Sequence, residues 1–85
     1  MRFRAKVYIT LKEGILDPQG NTVRGALGIL GYNGVGDVRI GKYIVLDLVA
    51  DDPGAARAQV EEMSRRLLAN PVLERFSFEL EEVPA

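Results

Sequence analysis

The chain has 85 residues, of which 47% are hydrophobic, and its 11 basic and 12 acidic residues leave a formal net charge of -1. This size predicts one domain covering residues 1–85, whose small core would benefit from association with other chains. The near-neutral balance gives no overall attraction to nucleic acid or to an anionic membrane. Cysteine and histidine are both absent, which excludes disulfides, thiolate metal sites and the usual general base near neutral pH.

The first predicted element is a strand near the N-terminus. Apolar side chains fall on one side of an extended chain at Phe3, Ala5, Val7, Ile9 and Leu11. Such strict alternation is typical of a half-buried strand. It is unlike the continuous apolar run of a signal peptide, and no stretch of the sequence approaches the 18 apolar residues of a membrane span. We therefore expect a cytoplasmic protein.

A turn and a helix follow this strand. Residues 12–14, Lys-Glu-Gly, end the strand, and Asp17 then offers an N-cap carboxylate with Pro18 at the first helical position. Asn21 is a second possible cap, which leaves the start of the helix open by one turn. Gly31 is expected to end the helix in the left-handed conformation.

The middle of the chain is predicted to be extended from Val35 to Ala50. Gly41 and Lys42, inside this segment, allow two interpretations. They could form a two-residue hairpin turn, or they could mark a bend in one long strand. The alternation of apolar residues continues unbroken across them, which mildly favours the continuous, bent strand.

A second helix and a last strand complete the pattern. Asp52 and Pro53 repeat the pattern of an N-cap carboxylate followed by proline at the first helical position. The helix is expected to end at Asn70 and Pro71, because helical backbone angles are disfavoured for the residue before a proline. Alternation then returns, with three apolar side chains facing inward: Phe76, Phe78 and Leu80.

The resulting order, β-α-(β or ββ)-α-β, predicts an α+β fold of two layers related to the ferredoxin-like arrangement. Its antiparallel sheet would carry both helices on one face, with the first and last strands as neighbours. The outer face of the first strand is basic and that of the last is largely acidic. We expect cross-strand pairs of Arg4 or Lys6 with Glu79 or Glu81.

The outer face of the predicted sheet also carries apolar side chains, at Tyr8, Tyr43, Val45 and Val49. Scattered surface apolar residues are normal in monomers. A small core nevertheless gains from further burial, and this favours self-association through the sheet.

The sequence contains no convincing catalytic group. The adjacent carboxylates 51–52 and 61–62 are explained by a cap and by a solvated helix face, since neighbours on a helix point about 100° apart. RIGKYIVL resembles an RNA-binding strand motif but lacks its stacking aromatics. The composition indicates a noncatalytic module that associates with other proteins. A ligand-binding regulatory module of the ACT kind and an RNA-binding module are the alternatives.

Four segments together carry a family resemblance: KVYITLKEGILDPQGNTVRGAL, LGYNGVGDVRIGKYIVLDL, VEEMSRRLLANPVLE and FSFELEE. In this order and spacing they resemble the small subunit of phosphoribosylformylglycinamidine (FGAM) synthase, an enzyme of purine synthesis. The resemblance implies a noncatalytic subunit that bridges a glutaminase subunit and an ATP-dependent synthetase subunit. In that complex, ammonia from glutamine converts formylglycinamide ribonucleotide to FGAM.

The resemblance also implies where cofactors and contacts lie. ATP, Mg and glutamine would bind the other subunits, with no metal in this chain, and family members form dimers or tetramers through their sheets. We expect the stiff turn between Gly14 and Gly20 to contact partners, and Arg39 and Lys42 to meet an acidic partner surface. The partner-binding candidates are Lys12, Gly14, Asp17, Pro18, Gln19, Gly20, Arg39, Gly41, Lys42, Asn70 and Pro71.

Overall fold

Three strands form one antiparallel sheet in the computed structural model, which describes residues 1–84. The elements in chain order are β1 (Arg2–Leu11), α1 (Pro18–Ile29), β2 (Gly41–Val49), α2 (Pro53–Met63) and β3 (Glu74–Val83). A π-helical turn, Ser64–Leu68, continues α2. The α+β class is confirmed, and the last residue of the predicted domain, Ala85, lies outside the described residues.

Strand β1 is the central strand, with β2 and β3 as its antiparallel neighbours. Tyr8 lies between Tyr43 on one side and Ser77 on the other, which fixes the register of both pairings. The predicted pairing of the first and last strands is therefore confirmed. One predicted charge pair is present, since Lys6 Nζ lies 3.8 Å from Glu81 Oε1, whereas Arg4 pairs with Asp47 on β2.

The core lies between the sheet and α2. The inward side chains of β1 are buried, as the alternation predicts, and Val60 of α2 and Ala69 pack against Ala5, Val7 and Ile9. Partly buried apolar side chains of β2 and β3 lie on either flank of this contact: Ile44, Leu46, Leu48, Phe76, Phe78 and Leu80. The strand alternation therefore identifies the inner face correctly.

Both predicted aspartate caps are present. The Asp17 side chain accepts a hydrogen bond from the N–H of Gly20, and that of Asp52 accepts one from Ala55. The other candidate cap, Asn21, lies inside α1. At the other end of α1, Gly31 has a φ of 99°, and the N–H of Tyr32 donates to Leu27 O, which closes the helix as predicted.

The middle strand is shorter than predicted, and it contains no hairpin. β2 begins at Gly41, and residues 35–40 run outside the sheet. The N–H of Ile40 donates to the Asp17 carboxylate instead of to a neighbouring strand. Alternation therefore predicted the strand correctly over Gly41–Val49, but it did not predict that the preceding residues remain unpaired.

The first helix occupies a different position from the one expected. Only α2 packs on the inner face of the sheet, whereas α1 makes few contacts with any strand. Apart from Gly20 and Leu27, the residues of α1 are exposed. The expectation of two helices covering one face is therefore corrected for the single chain, in which α1 projects away from the sheet.

Candidate functional site

All the predicted partner-binding residues lie at one end of the sheet. β1 ends there at Leu11, and β2 and β3 begin there at Gly41 and Glu74. We call this region the corner, and it consists of residues 12–20, 38–42 and 68–74. The corner thus unites three segments that are far apart in the sequence.

Asp17 connects two of these segments. Its side chain is 5% exposed, and its Oδ1 accepts from the N–H of Gly20 at 2.8 Å while its Oδ2 accepts from the N–H of Ile40 at 2.8 Å. These two hydrogen bonds, together with the positive charge of Arg39, lower the pKa of the Asp17 carboxyl below its usual value, although burial acts in the opposite direction. Asp17 is therefore a structural carboxylate that holds α1 against the start of β2.

Gly20 allows the same two segments to approach closely. A Cβ atom added at Gly20 would lie 2.0 Å from Val38 O and 2.9 Å from the Val38 carbonyl carbon. No side chain other than hydrogen fits this space. Gly41 has the same role at the start of β2, where an added Cβ would lie 2.3 Å from Ile9 O.

Arg39 fixes the turn between β1 and α1. Its guanidinium donates to Ile15 O and to Lys12 O, each at 3.1 Å. In the turn itself, the N–H of Ile15 donates to Lys12 O. Gly14 lies between these two residues and has a φ of 82°, a conformation that favours glycine. The Arg39 charge is thus directed at backbone carbonyls of its own chain.

Two lysines fix the third segment. Lys12 Nζ donates to Pro71 O at 2.7 Å, and Lys42 Nζ donates to Leu68 O at 3.1 Å. Lys42 also lies 3.4 Å from Glu74 Oε1, which in turn accepts from the N–H of Asn70 at 2.7 Å. These contacts close the loop between α2 and β3 onto the ends of the other two strands.

Sequence reasoning missed Glu74, although a signal was present. Lys42 and Glu74 both occupy positions whose alternation places them on the inner, apolar face of the sheet. A charge at an inward position needs a partner. Lys42 on β2 and Glu74 on β3 lie on either side of the end of β1, and their opposite charges pair with each other. That pattern was visible in the sequence once β1 was recognised as the central strand.

The groups that remain free at the corner are mostly apolar. Leu16 is 72% exposed and Val72 is 74% exposed, and Leu67 beside the third segment is 82% exposed. Pro18 and Gln19 are also exposed. Most polar residues of the corner therefore hold its loops in place, while apolar side chains, the Gln19 amide and the exposed Glu13 form its surface.

Several open clefts flank the corner. One, of about 340 Å³, is lined by residues that include Pro18, Gln19 and Lys42. Another, of about 350 Å³, includes Lys12 and Phe76 in its lining. Both are shallow depressions with mixed polar and apolar walls, a shape suited to the side chains of another protein.

A second candidate surface lies on the outer face of the sheet, and we call it the outer patch. It comprises Tyr8, Tyr43, Val45 and Val49, all exposed. The rings of Tyr8 and Tyr43 stack with their centroids 5.2 Å apart. Burial and the neighbouring Glu79 carboxylate raise the pKa of the Tyr8 hydroxyl above its ordinary value. The structure places all four predicted self-association residues on this one face.

Among residues 1–84, no group of three or more metal-ligating side chains lies close enough together to hold an ion. No helix of the described chain is both long and apolar enough to cross a membrane.

Comparison with known proteins identifies the family. A family model described as PurS, phosphoribosylformylglycinamidine (FGAM) synthase, matches residues 4–82. The chain belongs to the PurS family. The PurS subunit of phosphoribosylformylglycinamidine synthase from Bacillus subtilis (strain 168) is 48% identical over 83 residues, which is 98% of each chain.

Solved PurS structures share the fold. Thermus thermophilus PurS is 42% identical, covers 99% of this chain and 100% of its own, and superposes with a TM-score of 0.86. A chain in a structure described as PurLQS from Thermotoga maritima is 26% identical, covers 95% of this chain and 99% of its own, and has a TM-score of 0.87. Membership in the PurS family confirms the resemblance inferred from the sequence motifs.

Proposed function

We propose that this chain is the noncatalytic small subunit of FGAM synthase, which bridges the glutaminase and the ATP-dependent synthetase. In this assembly, ammonia released from glutamine converts formylglycinamide ribonucleotide to FGAM in purine biosynthesis, in the cytoplasm. ATP, Mg and glutamine bind the other two subunits. The similarity to a chain of the Thermotoga maritima PurLQS structure supports a place within such a complex.

This proposal is supported chiefly by the contacts that the charged groups of the corner make. The charges of Lys12, Asp17, Arg39 and Lys42 all contact this chain's own backbone. A catalytic or ligand-binding site needs polar groups aimed at a substrate, whereas rigid loops with exposed apolar tips suit protein recognition. Loops held in advance lose little conformational entropy on binding.

We propose that the exposed side chains of the corner contact the large subunits. Leu16, Pro18 and Val72 would fill apolar depressions of a partner, and Gln19 would add polar contacts. The remaining predicted residues support this surface from beneath. Gly20 and Gly41 do so where no side chain fits, and Gly14 through its positive φ. The others act through the contacts described above: Lys12, Asp17, Arg39, Lys42, Asn70 and Pro71.

Capture of the purified large subunits by the immobilised chain tests this surface. A variant with Leu16→Asp and Val72→Asp is expected to lose most of the bound synthetase, glutaminase or both, because charges would enter an apolar contact. Ile29→Asp is the control, since Ile29 is even more exposed, at 89%, but lies at the far end of α1. Undiminished capture by the folded double variant would contradict the assignment.

The proposal includes self-association to a dimer or tetramer through the outer patch. The charged residues around this patch are of both signs, with Arg4 paired to Asp47 and Lys6 to Glu81, so charges next to the apolar centre are partly compensated. Tyr43→Asp is expected to lower the mass measured by sedimentation, whereas the exposed Asp51→Asn leaves it unchanged. An unaltered mass for Tyr43→Asp would exclude the patch as an interface.

A further inference from the structure

The π-helical turn at the end of α2 interrupts the apolar stripe of that helix. Val60 faces the sheet and is fully buried, and Ser64, one turn later, lies on the same side and is also buried. In an uninterrupted α-helix the residues three and four positions further on, Leu67 and Leu68, would share that side. The N–H of Ala69 instead donates to Ser64 O at 2.9 Å, a hydrogen bond that spans five residues. The turn therefore contains one residue more than an α-helical turn.

This extra residue directs Leu67 outward. Ala69 is 4% exposed and takes the inward position that follows Ser64, whereas Leu67 is 82% exposed. Leu68, between them, is only partly buried against the core. The chain thus buries an alanine where an α-helical register would bury a leucine, although burial of apolar surface is the main favourable contribution to folding. The stability of the single chain does not account for this geometry.

The same turn contains a second unfavourable feature. Within residues 1–84, the buried hydroxyl of Ser64 has no hydrogen-bond partner. Buried polar side chains in native proteins nearly always have one. π-Helical turns inside α-helices are frequent at functional sites, and departures from favourable local structure are expected where a geometry serves recognition. Two such departures within one turn indicate that its shape has a role beyond folding.

Contacts from two strands hold the turn in this geometry. Lys42 Nζ, on β2, donates to the carbonyl of Leu68, the last residue of the turn, at 3.1 Å. Glu74 Oε1, on β3, accepts from the N–H of Asn70 at 2.7 Å. The chain leaving α2 is therefore fixed from outside the helix. The direction of the Leu67 side chain follows from these contacts.

The surroundings of Leu67 suit a contact with another protein. The two arginines that precede it form ion pairs with the preceding helical turn: Arg65 with Glu61 and Arg66 with Glu62. Their charges are thus compensated within the chain. An exposed apolar side chain bordered by compensated charges has the arrangement of an interface anchor with its polar rim.

We propose that the π turn presents Leu67 as an apolar anchor for the large subunit that contacts Val72. Leu67 directly precedes the third segment of the corner, residues 68–74, and the contacts of Lys42 and Glu74 join the turn and this segment into one unit. A partner that covers Val72 therefore meets Leu67 on the same continuous surface. The inference rests on the proposed function of the corner and adds to it a residue that the sequence did not indicate.

Affinities of the immobilised chain for each purified large subunit test this anchor. Leu67→Ala removes an exposed side chain and is expected to weaken binding of one large subunit about tenfold. Exchanging two neighbours, Arg66→Leu with Leu67→Arg, keeps the composition but moves the leucine by one position, and it should weaken binding at least as much. Arg66→Ala is the control and should change the Kd by less than about twofold, because it removes only an exposed ion pair.

Thermal unfolding of each variant shows whether its fold is intact. Leu67→Ala should unfold at the temperature of the unaltered chain, because an exposed leucine contributes little to stability. Binding of both large subunits by Leu67→Ala within twofold of the unaltered chain would overturn the inference. Undiminished binding by the exchanged variant would also overturn it, since the direction of the leucine would then be irrelevant. A marked loss of stability in Leu67→Ala would show that the side chain belongs to the core.

The failure of this inference is distinguishable from the failure of the proposed function. If Leu16→Asp with Val72→Asp abolishes capture while Leu67→Ala binds fully, the corner contacts the large subunits without the anchor. An unaltered chain that binds neither large subunit would reject the bridging role itself, and the anchor with it.

Discussion

Replacing Gly20 by alanine tests whether the close approach of α1 to residue 38 determines the geometry of the corner. The backbone of Gly20 does not have a positive φ, so the substitution introduces no conformational strain of its own. The added Cβ would instead lie 2.0 Å from Val38 O, where an ordinary contact begins at 3.4 Å. The two backbones must therefore separate by about 1.4 Å, which also lengthens the hydrogen bond from Ile40 to Asp17.

The expected loss of stability follows from two opposing effects. Overpacking between two rigid segments costs about 2–3 kcal/mol, and the better helix propensity of alanine returns about 1 kcal/mol. A net loss of about 1–2 kcal/mol should lower the melting temperature of a domain this small by roughly 5–15 °C. Thermal and urea unfolding followed by circular dichroism measure this change.

Two other glycines of the same helix provide the control. An alanine Cβ at Gly25 or Gly28 meets nothing within 4 Å, so each substitution should stabilise the chain by about 0.5–1 kcal/mol. The reasoning would be refuted if Gly20→Ala raised the melting temperature as these two do. It would also be refuted if the Gly20 variant unfolded at the wild-type temperature.

The remaining predictions concern acid sensitivity and the core. Because the folded pKa of Asp17 is lowered, its carboxylate stabilises the fold above its unfolded pKa of about 3.9 and loses that effect as the pH falls through the folded value. Asp17→Asn should therefore lower the urea midpoint at pH 7 and flatten its decline between pH 5 and pH 2, and a parallel decline in both proteins would be inconsistent with this role. Ile9→Ala removes a fully buried side chain and should cost about 2–5 kcal/mol by urea unfolding, and a loss below about 0.5 kcal/mol, as expected of a surface position, would contradict its place in the core. Within residues 1–84 the buried Ser64 hydroxyl has no hydrogen-bond partner, so Ser64→Ala should raise stability by about 1 kcal/mol, and a marked loss would indicate a partner for that hydroxyl.

Local patterns in the sequence predicted the elements well, because their causes lie within a few residues. Alternation identified the buried face of β1, and short-range chemistry identified the Asp17 and Asp52 caps and the turn at Gly31. Each of these depends on backbone geometry over one turn or one pleat. The family resemblance then supplied the function, which composition alone left open.

The position of α1 depended on contacts that no local pattern encodes. The Asp17 carboxylate meets Ile40 across 23 residues of sequence, and the close approach of Gly20 to Val38 becomes visible only in three dimensions. The interaction between Lys42 and Glu74, which lie on different strands, could be expected only once the order of the strands in the sheet was known. The structure brings the predicted site residues together, but most of their polar groups contact the backbone of neighbouring segments of the corner.

Reconstitution of the complex tests the central claim of a noncatalytic bridging subunit most directly. FGAM formation by the purified synthetase and glutaminase would be measured with and without this chain, once with glutamine and once with ammonium salt as the nitrogen source. The account predicts that the chain strongly raises the glutamine-dependent rate and has little effect on the ammonium-dependent rate, because it brings two active sites together and performs no chemistry. An unchanged glutamine-dependent rate, or FGAM formation by this chain alone, would contradict it.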